Sequence, residues 1–334
     1  MSRETFEWLN NYTLIGNTDI RGTAWHHRVD HQGTEPNHYP RAIPVEDVNR
    51  RLFDWEAVEC PMYYKPNGEY VLIEDRKVIM RSDTHTVMGV FKSGYNPHQY
   101  NEWLLENVAS ILDDELGISS AGLLRGGAQA WVEVSVPETF KTPEGVEFLA
   151  NLLATTSFDG SLATTFKRSR QDTVCDNTRD AALAGEGGVF KARHSKYSGF
   201  KILGAREALD MVHTMEEDFA KEISELCAMK VSDQEFDRVL QVLVPINDEL
   251  SKAGITKAEN KRAELINLYK NDARVAPWTG TAFGVSAAFN TWRQHLATVR
   301  KGTPRIIRNM ENYVTGKTTA EDQNVMEVLA GIQG

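Results

Sequence analysis

The sequence has few cysteines and no long apolar run, and each shortage excludes a class of protein. Its 334 residues include three cysteines, Cys60, Cys175 and Cys227. An odd number at wide spacing argues against a disulfide framework and indicates a reducing compartment. No stretch is apolar over the roughly 18 residues of a membrane span, and the N-terminus lacks the charged and then apolar pattern of a signal peptide. We therefore expect a cytoplasmic protein without membrane contact.

The common catalytic loop motifs are missing as well. The chain has no Walker-type phosphate loop, no nucleophile elbow and no zinc-hydrolase helix. Gly185, Gly187 and Gly188 lack the preceding strand and the following helix of a phosphate loop, so we interpret them as a hinge. We predict no cofactor, no catalytic residue and an activity that does not depend on ATP.

Two groups of residues keep an enzyme or a metal protein open as an alternative. Cys175 and His194 are a candidate thiol nucleophile and base, which requires spatial contact and a third orienting group. A cysteine at the end of a β-rich run is more often a small buried residue. Four N-terminal histidines are candidate metal ligands, although their spacing matches neither a helical ligand pair nor a cysteine-containing zinc site. They are His26, His27, His31 and His38.

Short β-rich runs with turn signals between them predict an antiparallel β-meander. The turns are Asn67-Gly68, Gly126-Gly127 and Asp159-Gly160, and Asp75-Arg76 and Asp83-Thr84 are read as further breaks between strands. One helix is expected after Pro97, where apolar residues recur at helical spacing and a glycine ends the run. The fold class predicted is α+β, with one helix interspersed in the antiparallel core.

The last third of the chain has a helical pattern. Ser232 and Glu235 form a capping-box signature there. In the N-terminal segment, one helix is expected after Pro44, because the acids Glu46 and Asp47 follow it. The stretch 300–313 is interpreted as a connector. We predict three regions: an irregular N-terminal segment, a β-rich α+β core and a helical C-terminal region, over 1–65, 66–203 and 204–334.

Positive charge is concentrated in one segment. The formal net charge is −10, yet Ser161–Arg206 carries nine bases and four acids, a net of +5, which leaves −15 for the remainder. A phosphate-binding groove needs such a concentration because each bound Lys or Arg releases a counterion, and nearby aromatic rings can stack on bases. A solvated strand face would explain the same charges. The predicted nucleic-acid-binding residues are Lys167, Arg168, Arg170, Lys191, Arg193, Lys196, Tyr197 and Phe200.

A second basic patch lies near the C-terminus. Its cations are Arg300, Lys301, Arg305 and Arg308, with Trp292, Arg293, Tyr313 and Lys317 close by in sequence. A charged connector between helices has the same composition, so the patch alone indicates no partner.

The motifs of the basic segment resemble those of the phage/plasmid-like protein family, a domain of unknown function carried on bacteriophages and plasmids. They are the Asp159-Gly160-Ser161 turn, the strand Asp172 to Thr178 and Arg193-His194-Ser195. The family arginine before the valines is displaced here: Gln171-Asp172-Thr173 stands in its place, with Arg168 and Arg170 upstream. Further motifs that fit are Arg81-Ser82-Asp83, Leu123 to Gly127, Trp131 and Gly280-Thr281-Ala282.

The resemblance implies a mobile-element context in a bacterial host cell. Such elements often carry single-strand annealing recombinases, which are β-meander and helix proteins that assemble into rings or filaments. By that analogy we expect a homo-oligomer that binds single-stranded DNA in annealing, recombination or replication. The alternatives are a non-enzymatic interaction or structural protein that binds host or phage proteins, and an enzyme with a Cys/His or metal site.

Overall fold

A computed structural model describes most of the chain. The described residues are 11–18, 35–112, 116–136, 138–172, 177–180, 189–192, 194, 203–299 and 305–333. They contain eleven β-strands, all paired antiparallel where a register is defined, and eight α-helices, most of them in the C-terminal part. This is the α+β fold class predicted from the sequence.

The chain forms two compact units, each built from separate stretches of sequence. Unit 1 comprises the described parts of Met1–Pro137, Asn151–Arg168 and Glu186–His213. Unit 2 comprises those of Glu138–Ala150, Ser169–Gly185 and Thr214–Gly334. The ranges predicted from the sequence are contiguous, whereas these units are interleaved. The boundaries of the three predicted regions stay a prediction.

The larger sheet of unit 1 has the order β1-β5-β6-β8-β9, with β11 on β9. Its strands are β1 (Thr13–Ile15), β5 (Gly117–Leu124), β6 (Gln129–Ser135), β8 (Glu147–Ser157), β9 (Thr164–Asp172) and β11 (Val189–Ala192). The first parts of β8 and the last parts of β9 belong to unit 2. The predicted turns at Gly126-Gly127 and Asp159-Gly160 are confirmed, and all three glycines adopt positive φ.

The core of this sheet is centred on Trp131, which is fully buried on β6. Its indole Nε1 donates a 2.8 Å hydrogen bond to Ser120 Oγ on the neighbouring strand. Gly122 faces Trp131 across the β5–β6 ladder and leaves space for the indole ring. A buried tryptophan usually finds such a partner for its N–H, so the position is fixed by packing and by a hydrogen bond.

A second sheet of unit 1 has the order β2-β3-β4. Its strands are β2 (Ala57–Tyr64), β3 (Val71–Arg81) and β4 (Val87–Lys92). The turn at Asn67-Gly68 is confirmed, with φ values of 52° and 94°. The break expected at Asp75-Arg76 is wrong, because β3 continues through it: Arg76 pairs with Lys92 and Lys77 pairs with both Pro61 and Phe91.

Short helical segments complete unit 1. Helix α1 (Val45–Val48) follows Pro44 as predicted and continues into a π-helical stretch, Asn49–Phe53. The helix expected after Pro97 is present as a π-helical stretch, Asn101–Glu106, followed by α2 (Asn107–Ala109). Of the apolar face predicted for it, Tyr100, Leu104, Val108 and Ile111 are buried, and Trp103 and Leu112 are half-buried. Gly117, which was expected to end this helix, instead begins β5. Strands β1 and β2 lie in the range 1–65, which was expected to be irregular.

Unit 2 combines short strand pairings with most of the helices. Its own strands are β7 (Phe140–Lys141) on β8 and β10 (Asn177–Asp180) on β9. The helices are α3 (Leu203–Ala228, in unit 2 from Thr214), α4 (Asp233–Leu243), α5 (Lys252–Asn271), α6 (Ala282–Thr291), α7 (Arg305–Val314) and α8 (Lys317–Gln333). Helix α8 packs against α4, α6 and α7.

Two local predictions for the helical region have different outcomes. The capping box of α4 is confirmed, since Ser232 Oγ accepts from the Glu235 backbone and the Glu235 carboxylate accepts from the Ser232 backbone. The connector expected over 300–313 instead contains α7. The apolar residues Ile307, Met310 and Val314 recur there at intervals of three and four, which is the period of a helix. Among the described helices, none is long and apolar enough to cross a membrane.

Candidate functional site

The predicted nucleic-acid-binding residues occupy different environments. Lys167 and Arg168 are buried on β9, and Lys191 is exposed on β11. Strand pairing places Lys167 opposite Val189 and Lys191 opposite Thr165, so the three cations share one hairpin of unit 1. We call the antiparallel strand pair β9 and β11 the basic hairpin, although β10 lies between the two strands in the sequence. Arg193, Lys196, Tyr197 and Phe200 lie outside the described residues.

Arg170, at the unit 2 end of β9, is an interior residue. It is 1% exposed, its Nη1 lies 3.2 Å from Glu222 Oε1 on α3, and its guanidinium lies 5.8 Å from the Phe219 ring centre. Burying a cation requires a paired anion, and Glu222 provides it. In this arrangement Arg170 has almost no surface to offer a phosphate.

Three of the sequence motifs are brought together in unit 1. The Arg81 guanidinium donates to the Asp83 carboxylate at 2.9 and 2.6 Å and to the Gly126 carbonyl at 2.9 Å. It also lies 3.9 Å from the centre of the Trp55 ring. Hydrogen bonding from Arg81 lowers the pKa of the Asp83 carboxyl, which is therefore ionised at neutral pH.

The Asp159-Gly160-Ser161 turn lies against the same loop. Asp159 Oδ1 accepts a 2.9 Å hydrogen bond from the Ser161 backbone N–H, and Asp159 Oδ2 lies 3.5 Å from Arg125 Nη1. Gln129 Nε2 donates to Ser161 Oγ at 2.8 Å. Gly160 adopts a φ of 76°. Together with the Arg81 contacts, these bonds fix the geometry of both turns, and the half-exposed Arg125 is their accessible cation.

Next to these turns, five aromatic rings form a continuous stack, which we call the ring stack. Phe91 and Tyr95 stack at 3.9 Å, and Tyr95 and His194 at 5.2 Å. His194 and His98 follow at 4.1 Å, and His98 and Trp103 at 3.4 Å. His98 is buried and the other four side chains are half-buried. All five belong to unit 1.

A chain of hydrogen bonds joins the two histidines to the base of the basic hairpin. His98 Nδ1 lies 2.7 Å from Thr164 Oγ1, which lies 2.8 Å from Thr156 Oγ1. Thr156 Oγ1 in turn lies 3.1 Å from His194 Nε2. Thr164 is the first residue of β9. The stack and the hairpin are therefore connected through a side chain that belongs to the hairpin.

Both histidines are neutral at physiological pH. Burial, with a smaller effect of His194, lowers the pKa of His98 to about 3. Burial also lowers the pKa of His194 to about 4. Burial raises the pKa of Tyr95, and the nearby charge of Asp159 raises it further. The ring stack thus presents uncharged aromatic surfaces over the neutral range, which suits stacking on a base more than proton transfer.

The residues of the alternative enzyme and metal sites are only partly described. His194 has its Nε2 next to Thr156, and Cys175 lies outside the described residues, so their pairing stays a prediction. His26, His27 and His31 also lie outside, and His38 forms a β-bridge with Ile15. Within the described part of the chain, no group of three His, Cys, Asp or Glu side chains has metal-binding geometry.

Two cations at the second basic patch, Arg293 and Arg308, are engaged within the helical region of unit 2. Arg293 pairs with Asp322 and, at 3.2 Å, with Glu321. Arg308 donates to the Arg293 carbonyl at 2.5 Å. The ion pairs of Arg293 connect the helical stretch Trp292–Leu296 with α8, and the bond from Arg308 satisfies a backbone carbonyl of that stretch. Arg300 and Lys301 lie outside the described residues.

Comparison with known proteins gives one result, a family model described as a domain of unknown function, DUF932, over residues 87–313. The match covers more than half of the chain. The chain belongs to the DUF932 family. The matched range includes the ring stack, the basic hairpin and both turns at Gly126 and Gly160, whereas Arg81 and Asp83 precede it. No curated protein and no solved structure matches this DUF932 chain significantly.

Sequence reasoning missed the ring stack of the DUF932 chain. From the sequence, Trp103 belongs to the apolar face of the helix after Pro97, and His98 has no assigned role. The available signal was the density of rings from Phe91 to Trp103, where Phe91, Tyr95, His98, Tyr100 and Trp103 occur within thirteen residues. Stacking with His194 depends on a contact over 96 positions and has no local signal.

Proposed function

We propose that this DUF932 chain is a phage- or plasmid-encoded protein that binds single-stranded nucleic acid and acts in annealing, recombination or replication. It works without ATP and as a homo-oligomer. The observation that carries the proposal is the junction of the basic hairpin with the ring stack: Thr164 belongs to the first and hydrogen-bonds to His98 of the second.

The two parts of that junction have complementary roles in binding a single strand. Lys191 is exposed on β11 and offers a cation to a phosphate. The half-buried rings of the neighbouring stack offer faces or edges to bases, which stack without sequence preference. Arg193 and Lys196 follow Lys191 in the sequence and would extend the cationic path. Oligomerisation would join these paths, which answers the objection that a net charge of −10 repels nucleic acid.

A charge reversal on the hairpin tests the proposal. Lys191→Glu should weaken binding of a fluorescently labelled single-stranded oligonucleotide equally for different sequences and lower the slope of log K against log salt by about one or more. Lys252→Glu is the matched control, because Lys252 is also exposed but begins a helix of unit 2. Equal binding by the wild type and both variants, or an equal loss in both variants, would contradict the proposed interface.

The alternative of a protein-interaction role is favoured by a different observation, the exposed apolar hairpin described next. It does not require nucleic acid.

A further inference from the structure

The tip of the β2–β3 hairpin extends beyond the rest of its sheet. Tyr63 pairs with Leu72 and Tyr64 pairs with Val71, whereas β4 pairs with β3 only from Arg76 to Met80. The tip is therefore two-stranded, closed by the turn at Pro66–Gly68. We call residues 63–72 the tyrosine arm. A two-stranded hairpin is marginally stable in water, so an arm of this kind benefits from a surface that covers it.

The tyrosine arm is apolar on both faces. Tyr70 is 74% exposed and Tyr63 and Tyr64 are each 52% exposed, and Val71 and Leu72 are exposed as well. Successive residues of a strand point to opposite faces, so Tyr63 with Leu72 occupies one face and Tyr64 with Val71 the other. Contiguous exposed apolar groups on a protein surface usually mark an interaction site, and tyrosine is enriched at the centres of such sites.

The side chains of the arm also have a defined arrangement. The rings of Tyr63 and Tyr70 meet edge to face with 6.5 Å between centres. Lys65 Nζ lies 4.7 Å from the centre of the Tyr70 ring. Two mutually supporting rings with few rotatable bonds form a rigid anchor, which loses little entropy on binding.

The charges around the arm do not favour a polyanion. From Glu59 to Lys77 the sequence has four acidic and three basic residues, a net of −1. A phosphate chain gains little from such a surface, because its affinity comes mainly from counterion release by cations. Nucleic acid is therefore the less favoured occupant of the arm, although its tyrosines could stack on bases.

The same charges suit a second copy of the chain. Lys65 and Glu69 flank the turn, and Glu74 follows the apolar residues. In a two-fold contact each patch meets itself, so Lys65 of one copy can lie against Glu69 of the other while the apolar side chains pack between them. We infer that the tyrosine arm is the contact through which one copy of this chain binds another. A two-fold contact by itself joins two copies, so a ring or filament would need a second contact besides this one. The inference rests on the proposed function only in that it supplies one contact of the proposed oligomer.

The first test measures self-association of the full chain without nucleic acid, by light scattering and sedimentation over a concentration series. We expect the wild type to form an oligomer and Tyr63→Ser/Tyr70→Ser to raise the dissociation constant by about tenfold or more. Val242→Ser is the matched control, since Val242 is equally exposed but lies on α4, and it should assemble as the wild type does. Unchanged circular dichroism and melting temperature show that the arm variant is folded.

A charge exchange tests the two-fold contact. Lys65→Glu should weaken association, and Lys65→Glu/Glu69→Lys should restore it, because the exchanged charges again face each other across the axis. A monomeric wild type, an arm variant that assembles like the wild type, or a double variant no better than Lys65→Glu would overturn the inference.

An arm variant that assembles normally but loses oligonucleotide binding would assign the arm to nucleic acid instead. Two results separate this inference from the proposed interface at Lys191. They are loss of assembly with unchanged oligonucleotide binding in the arm variant, and loss of oligonucleotide binding with unchanged assembly in Lys191→Glu.

Discussion

At Gly122 the side-chain position has room for a hydrogen atom only. A Cβ there would overlap the Trp131 ring and lie 2.6 Å from the Tyr12 carbonyl oxygen. Gly122→Ala should therefore lower the free energy of unfolding by about 1–3 kcal/mol, the usual cost of overpacking. Gly94→Ala is the control, because nothing lies within 4 Å of its Cβ position. Urea unfolding followed by tryptophan fluorescence measures both, and equal midpoints would contradict the packing described for Trp131.

The pKa values of His98 and His194 predict a loss of stability in acid. Both are lowered on folding, to about 3 and about 4, from an ordinary value of 6.5. The unfolded chain therefore binds more protons below pH 6.5, and the stability from each neutral imidazole is complete above pH 6.5 and is lost as the pH falls towards the folded pKa. Between pH 6.5 and 5 each histidine contributes a loss of up to about 2 kcal/mol.

Two variants separate the loss of stability caused by protonation of the histidines from the loss caused by protonation of carboxylates. His98→Phe/His194→Phe should flatten the dependence of the unfolding free energy between pH 7 and 5, whatever its effect on stability at pH 7. His85→Asn changes an exposed histidine in the left-handed region, where asparagine is tolerated, and should leave that dependence as in the wild type. Parallel curves for the double variant and the wild type would show that the ring stack is not the source of the acid sensitivity.

At the scale of elements, the pair of Arg170 and Glu222 joins β9 to α3 within unit 2. Removing one partner leaves a buried charge, so Glu222→Leu should cost about 3–5 kcal/mol, whereas Arg170→Met/Glu222→Leu should recover much of that loss. Glu225→Leu is the control on the same helix: its pair with Lys221 is exposed, and the change should cost less than about 1 kcal/mol. Additive losses in the Arg170 and Glu222 variants, measured by denaturant unfolding, would contradict a coupled pair.

The elements that the sequence predicted correctly are those with local signals. Glycine turns at positive φ, Pro44 before α1 and the Ser232 capping box each depend on a few neighbouring residues. The errors involve tertiary contacts. Asp75-Arg76 has the composition of a turn, yet pairing with both neighbouring strands keeps it extended. Strand β2 contains Pro61, which demotes a strand on sequence grounds but is tolerated at a sheet edge.

The candidate site was predictable only in part, for the same reason. Its turns were recognised as motifs, but their meeting through Arg81 and Gly126 depends on a contact over 45 positions. The basic segment was identified by charge alone, which does not distinguish the exposed Lys191 from Arg170, whose anionic partner lies on another element. Periodicity would place both on a strand, and only the packing of α3 decides that one of them is buried.

At the scale of the whole molecule, the account depends on charge separation along the chain. A segment of net +5 stands in a chain of net −10, so the remainder of the chain has a net charge of −15. A single copy therefore offers a short cationic surface. The proposed assembly would repeat it at fixed intervals, and the affinity for a long strand would then rise with the length of the strand, because each further contact would be intramolecular.

The most direct measurement is binding of the wild-type chain to labelled single-stranded oligonucleotides of increasing length across a salt series, on protein sized by light scattering. We expect an oligomer whose affinity increases with oligonucleotide length and decreases steeply with salt, because several phosphates are neutralised. Folded protein that does not bind at low salt, or that binds independently of salt, would contradict it and leave a protein partner as the function to pursue.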